Sequence, residues 1–164
     1  MNSNNEVELR TSTLSQKNFR AAPCNLLVCV PPDNPEPALA AFADEKNRYS
    51  GLRVSEMADL SFLSKFPNLR YLEVVNQKKV STRDLAGLCN LRGLKIETPG
   101  TGLDFACFPE LETFEGDWHP DNVNLHRCQE LRELRLHQFK PASQDLSPLA
   151  NITRLEWLTL IQTN

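Results

Sequence analysis

An apolar pair spaced one residue apart returns six times along the 164-residue chain: Leu52/Val54, Leu72/Val74, Leu94/Ile96, Phe114/Gly116, Leu134/Leu136 and Leu158/Leu160. The first members stand at 52, 72, 94, 114, 134 and 158, so the steps are 20, 22, 20, 20 and 24 residues. From the second copy onward each pair is led by apolar residues at three-residue intervals: Leu63-Phe66-Leu69, Leu85-Leu88-Leu91, Phe105-Phe108-Leu111, Leu125-Cys128-Leu131 and Leu149-Ile152-Leu155. One such unit cannot bury its own apolar face. Stacked units bury a shared core, which restricts the chain to a solenoid. Alternation within each pair specifies a short strand, with one side chain in two facing the core. The expected fold class is therefore α/β: a solenoid with a parallel concave sheet, short helices or 3₁₀ turns on the convex side, and an N-terminal strand–helix cap. The unequal steps fall in the returns, so the strands keep register.

Three segments follow from the patterning. Residues 1–22 are polar; within them Val7-Glu8-Leu9-Arg10-Thr11 alternates, leaving an edge strand and a loose tail both open. Residues 23–50 form the cap. Asn25-Leu26-Leu27-Val28-Cys29-Val30 is a run suited to a strand buried on both faces. After it, Asn34 is placed to cap a helix that opens with Pro35. Leu39, Phe42 and Ala43 give that helix an apolar stripe, and it joins two parallel strands. Residues 51–164 carry the repeats. In their returns, Ser81-Thr82-Arg83-Asp84 offers a capping box and Asp145 a cap. Pro99-Gly100-Thr101-Gly102-Leu103-Asp104 holds too many helix breakers for more than a 3₁₀ turn.

The repeats support a family resemblance. Asp145-Leu146-Ser147-Pro148-Leu149-Ala150-Asn151-Ile152-Thr153-Arg154-Leu155-Glu156-Trp157-Leu158-Thr159-Leu160 closely resembles a repeat of bacterial internalin-type leucine-rich repeat proteins. Phe66-Pro67-Asn68-Leu69-Arg70-Tyr71-Leu72-Glu73-Val74 and Leu88-Cys89-Asn90-Leu91-Arg92-Gly93-Leu94-Lys95-Ile96 match as well, and the resemblance covers roughly residues 50–164. It implies protein recognition on the concave sheet. One departure stands out. The family's asparagine, five positions after the first strand residue, is Gln77, Pro99, His119, Phe139 and Thr163 here. In the family that asparagine bonds buried backbone, so these turns need other partners.

The formal net charge of −3 lacks the basic footprint that nucleic-acid binding requires. No apolar run is long enough to span a bilayer, and the first twenty residues have no signal-peptide core, which points to the cytoplasm. Export by a signal-free route, as for a secreted bacterial effector, stays open. Five cysteines without a CxxC pair (Cys24, Cys29, Cys89, Cys107, Cys128) argue against a disulfide framework or a zinc site. Cys128 occupies a core slot of its repeat and Cys29 lies in an apolar strand, so both read as small buried hydrophobes.

Residues between and beside the apolar pairs face away from the core. The central row reads Arg53, Glu73, Lys95, Glu115, Arg135 and Thr159, with charge sign alternating over the first five positions. On in-register strands ~4.8 Å apart each charge has an opposite neighbour, a ladder that favours correct register and that a charged partner can enter and re-pair. The row before it contains Tyr71, Glu133 and Trp157, and the row after it Glu97, Asp117 and His137. Trp118 follows on the rim. Together Tyr71, Glu73, Lys95, Glu97, Glu115, Asp117, Trp118, Glu133, Arg135, His137 and Trp157 form the expected protein-binding face, acidic in its middle repeats and flanked by aromatic anchors.

Chemistry has little support. His137 near Asp117 and Glu133 resembles an acid/base site, and Cys128 with His126 a nucleophile pair. An exposed sheet lacks the walls that exclude water, and Cys128 belongs to the core. No phosphate loop or metal-ligand spacing is present, so no cofactor and no metal are expected. The expected function is a noncatalytic protein-binding module for a partner with a basic surface, with no nucleic acid and no membrane. A bacterial toxin inhibitor or immunity protein is one concrete form. The alternatives are a structural or self-associating scaffold, as a homodimer through the open C-terminal end, and a fragment of a larger leucine-rich repeat protein.

Overall fold

A computed structural model describes residues 11–13, 26–44, 51–100, 102–141 and 145–161. Eight strands form one sheet in sequential order: β1 (Thr11–Thr13), β2 (Leu26–Val30), β3 (Gly51–Ser55), β4 (Tyr71–Val75), β5 (Gly93–Glu97), β6 (Thr113–Asp117), β7 (Glu133–His137) and β8 (Trp157–Ile161). β2 to β8 are parallel neighbours, and β1 pairs antiparallel with β2. Leu52, Leu72, Leu94, Phe114, Leu134 and Leu158 stand opposite one another in register, as do the second members of the pairs. The unequal repeat lengths are absorbed outside the strands, as the spacing implies.

Helix α1 (Glu36–Ala43) joins β2 to β3. It begins one residue later than its sequence signals suggest. Pro35 itself is the N-cap, Pro37 sits in the first turn, and no side chain caps the helix. The later returns are all 3₁₀ turns: η1 (Ser61–Lys65), η2 (Thr82–Leu85), η3 (Phe105–Cys107), η4 (Leu125–Arg127) and η5 (Ser147–Leu149). Ser81 does precede η2, but its side chain makes no capping bond, so the capping box is absent. Asp145 does act as expected: its Oδ1 accepts from the Ser147 amide at 2.8 Å. In the breaker-rich spacer Asp104 caps η3 by accepting from the Ala106 amide at 3.0 Å. Thr11 is ordered into β1, while Val7–Arg10, Cys24 and the segment boundaries expected near 22 and 50 lie outside the described residues.

Backbone groups at both strand ends are satisfied layer by layer. Before the strands one carbonyl serves two amides. Arg70 accepts from Arg92 and Gly93, Arg92 from Glu112 and Thr113, and Arg132 from Glu156 and Trp157. After the strands, the amides of Glu56, Asn76, Trp118 and Gln138 donate to Val75, Glu97, His137 and Ile161 of the next layer. In the repeat that carries Gln77, the family's asparagine has a substitute one position earlier. Asn76 is buried and its Nδ2 donates to the Met57 carbonyl at 2.5 Å.

The core runs unbroken between sheet and returns. In its middle repeats Phe105 and Phe114 meet edge to face with ring centroids 4.9 Å apart. That ring explains Gly116, the one small member of the apolar pairs. A Cβ there would stand 2.9 Å from Phe114 Cζ and 3.0 Å from the Ile96 carbonyl oxygen. Phe114 thus fills the space that a side chain at 116 would otherwise take.

Candidate functional site

Strand register brings the central row together: Arg53 lies opposite Glu73, Glu73 opposite Lys95, Lys95 opposite Glu115, and Glu115 opposite Arg135. Three of these four neighbours are ion-paired. Arg53 Nη1 lies 3.1 Å from Glu73 Oε2, Lys95 Nζ lies 3.2 Å from Glu115 Oε1, and Arg135 Nη1 lies 3.7 Å from Glu115 Oε2. Between Glu73 and Lys95 the ladder is interrupted, because Lys95 Nζ turns along its own strand to Glu97 Oε1 at 2.8 Å. Glu115 is the hub, with His137 Nε2 also 3.7 Å from its Oε1.

Burial separates the carboxylates here from an ordinary surface. Glu73 and Glu115 of the central row are only 5% and 3% exposed, and Glu133 of the preceding row 4%. Desolvation raises the Glu73 carboxyl above its ordinary value, against the pull of Arg53 and Lys95. For Lys95, burial lowers the ammonium but Glu97 and Glu115 outweigh it, and the net shift is upward. A charge buried this way is held by its neighbours. The buried carboxylates of the central ladder are thus matched within the sheet by cations that remain partly exposed.

The flanking rows also depart from expectation. Tyr71 is 7% exposed rather than an anchor on the surface. Its ring lies across Gly93, where a Cβ would come within 2.7 Å of Tyr71 Cδ1. Trp118 is half-buried and packs edge to face on Phe139 at 4.9 Å. Trp157 is the aromatic of this set that does stand exposed, at 38%. In the row after the centre, Glu97 is exposed, while Asp117 and His137 are half-exposed. These three residues, with Ile96, Thr98, Pro99 and Gly116, line a notch of about 280 Å³ at the downstream edge of β5–β7. Asp117 makes no ion pair among the described residues. Of the carboxylates on β4 to β7, Glu97 and Asp117 at this margin are the ones that meet solvent.

A second ladder escapes a reading that looks only at strand residues. Immediately before the strands, Arg92 Nη1 lies 3.5 Å from Glu112 Oε1, and Arg132 Nη1 lies 3.1 Å from Glu156 Oε1. Arg154 pairs with Glu130 one step further out. The signal was present as charges at positions 92, 112, 132 and 156, spaced by one repeat. It was hidden because the residue before a strand has no fixed facing until the turn is known.

Cys128, the thiol of the possible nucleophile pair, is poorly placed for that role. Cys128 is fully buried, its Sγ lies 3.5 Å from the carbonyl oxygens of Phe105 and Phe108, and burial pushes its thiol up to about 12. Burial also raises the Cys107 thiol. Cys29 is only half-buried, since register places it opposite Arg53 in the central row instead of in the core. His119 is held by Asp121, whose amide donates to Nδ1 at 3.2 Å, and His126 is exposed on η4. Among the described residues, no three His, Cys, Asp or Glu side chains are placed to hold a metal ion, and no helix is long and apolar enough to cross a membrane.

Neither a scan against protein-family models nor a search of curated proteins finds a match. Among solved structures the chain is similar to an internalin C2 from Listeria monocytogenes, with a TM-score of 0.50 and 23% identity over 69% of this chain. The chain spans about half of that protein, 52% of its length. The likeness establishes the fold: a leucine-rich repeat solenoid of internalin-like form.

Proposed function

We propose that the protein is a noncatalytic protein-binding module that recognises a basic surface through the downstream margin of its concave sheet. Glu97, Asp117 and His137 supply the polar contacts and Trp157 an exposed aromatic anchor. The observation that carries this reading is the contrast in charge satisfaction across the sheet. Glu73 and Glu115 are buried and matched by Arg53, Lys95 and Arg135, whereas Asp117 stands beside an open notch without an ion pair among the described residues. A preformed sheet presents these groups at little ordering cost. Within this class, a small inhibitor or immunity protein that covers a basic toxin fits the acidic margin best. Capture of partners on the immobilised protein tests the reading, comparing it with a Glu97→Lys/Asp117→Lys variant. Glu115 is left intact because its loss would strip Lys95 and Arg135 of their shared carboxylate. The expected result is loss of the partner by the variant; equal recovery of the same partner would sink it.

Self-association through β8 is a second reading, supported by Leu158 and Leu160, which are 40% and 36% exposed. A strand edge with uncovered apolar side chains is a template for pairing. Light scattering over a concentration series should then show a mass rising toward the dimer, and a strictly monomeric mass would rule it out.

A further inference from the structure

We propose that a cleft in the convex wall, between η2 and η3, is a binding site for an acidic peptide segment of a partner protein that carries a bulky apolar side chain. Along that wall η1 packs on η2, η3 on η4 and η4 on η5, while η2 and η3 are not packed on each other in this way. Their placement differs: η2 ends on the core residue Leu85, whereas η3 begins on its counterpart Phe105. The two turns are staggered, and a cleft of about 530 Å³ opens at the seam.

The chemistry of the cleft is two-sided. Val80, Leu103 and Phe108 reach it from the core and are 2–3% exposed, giving an apolar floor. Lys79 and Arg83 rise from one wall, both exposed, and neither makes an ion pair among the described residues. This is unlike Arg53, Arg92, Arg132, Arg135 and Arg154, each within 4.0 Å of a carboxylate. The facing wall carries one carboxylate, Asp104, which stays ionised, so the lining sets two cations, Lys79 and Arg83, against one anion. Asp104 accepts from the Ala106 amide at 3.0 Å and from Asn124 Nδ2 at 2.9 Å, and these bonds hold its pKa below the ordinary carboxylate value. This excess of positive charge beside an apolar floor calls for an occupant with carboxylates next to an aromatic or aliphatic group. Ser81 and Thr82 add hydroxyls to the cation-bearing wall, where they can bond a peptide backbone. The site shares no residue with the acidic margin and has the opposite charge, so the two sites would select different partners.

The test is an amide NMR titration of the full chain with a synthetic peptide of glutamates flanking a single phenylalanine. Shifts are expected in residues 79–86 and 103–108. Lys79→Glu/Arg83→Glu should weaken binding by about tenfold or more, because both rim charges become repulsive. A peptide with alanine for phenylalanine should also bind more weakly, and one with lysines for glutamates should not shift these residues. Both substituted side chains are exposed, and the variant's amide spectrum verifies that the fold persists. Shifts confined to other parts of the chain, or unchanged affinity of the variant, would overturn the proposal. Equal binding of the alanine peptide would remove the apolar floor from it and overturn it equally.

Discussion

β7 and β8 carry almost the same apolar pair and meet opposite fates. Leu134 and Leu136 are fully buried, whereas Leu158 and Leu160 are 40% and 36% exposed. The two strands pair in register, so the difference is not one of facing. A core-facing side chain in a solenoid is covered partly by its own return and partly by the layers on either side. β7 has both neighbours; β8 has described chain on one side alone. The central row shows the same contrast. Arg135 on β7 reaches Glu115, while β8 continues the row with the neutral Thr159. Position in the pattern determines which way a side chain points, and the adjoining layer determines what that direction is worth.

The largest expected effect separates the two strands by stability. Leu134→Ala should cost about 2–5 kcal/mol, since it opens a cavity in a fully packed layer. Leu158→Ala should cost about 1 kcal/mol or less, because much of that side chain already meets water. Urea unfolding of both variants measures the difference, and equal losses would break the comparison.

A smaller effect concerns the buried charge in the interior. Burial raises the carboxyl of Glu73 on folding above its ordinary value, so the native state binds its proton more readily than the unfolded chain. Its contribution therefore favours the folded state at low pH and declines as pH rises from about 4.5 through the raised value. Glu73→Gln removes this dependence. The stability of the original protein relative to the variant should fall as pH increases across that window, measured by unfolding at a series of pH values. Parallel profiles would show that Glu73 does not bear the burial its surroundings impose.

The smallest effect would sharpen the contrast at β8. Thr159→Glu extends the alternation by placing a carboxylate opposite Arg135, with an expected gain of at most about 1 kcal/mol. In ~1 M salt, where screening acts over about 3 Å, the gain should vanish. A gain that survives high salt would mean that the substitution acts through packing.

Much of the fold was legible because stacking forces a repeat on the sequence. The register of Leu52, Leu72, Leu94, Phe114, Leu134 and Leu158 could be written down directly, and with it the alternation from Arg53 to Arg135. The site was legible as rows and illegible as surface. Glu73, Glu115 and Tyr71 were expected to be offered to a partner, and the structure buries all three. Tyr71 was misjudged because Gly93 beside it leaves room for its ring to lie down across the sheet. The paired flank around Arg92, Glu112, Arg132 and Glu156 was missed because it lies just outside the alternating strand.

Local sequence therefore determined the period, the facing of each strand residue and the sign of each charge, all consequences of backbone geometry repeated at a fixed interval. Only the tertiary structure decided which of those charges remain available. That depends on distances between side chains of different repeats as well as within one, as when Lys95 turns to Glu97 on its own strand and Glu115 on the next and leaves Glu73 to Arg53. It also depends on how neighbouring returns meet, as at the seam between η2 and η3, which holds a cleft that no residue of either turn announces by itself. Availability is a property of neighbours, and in a stacked fold the neighbours come from other repeats.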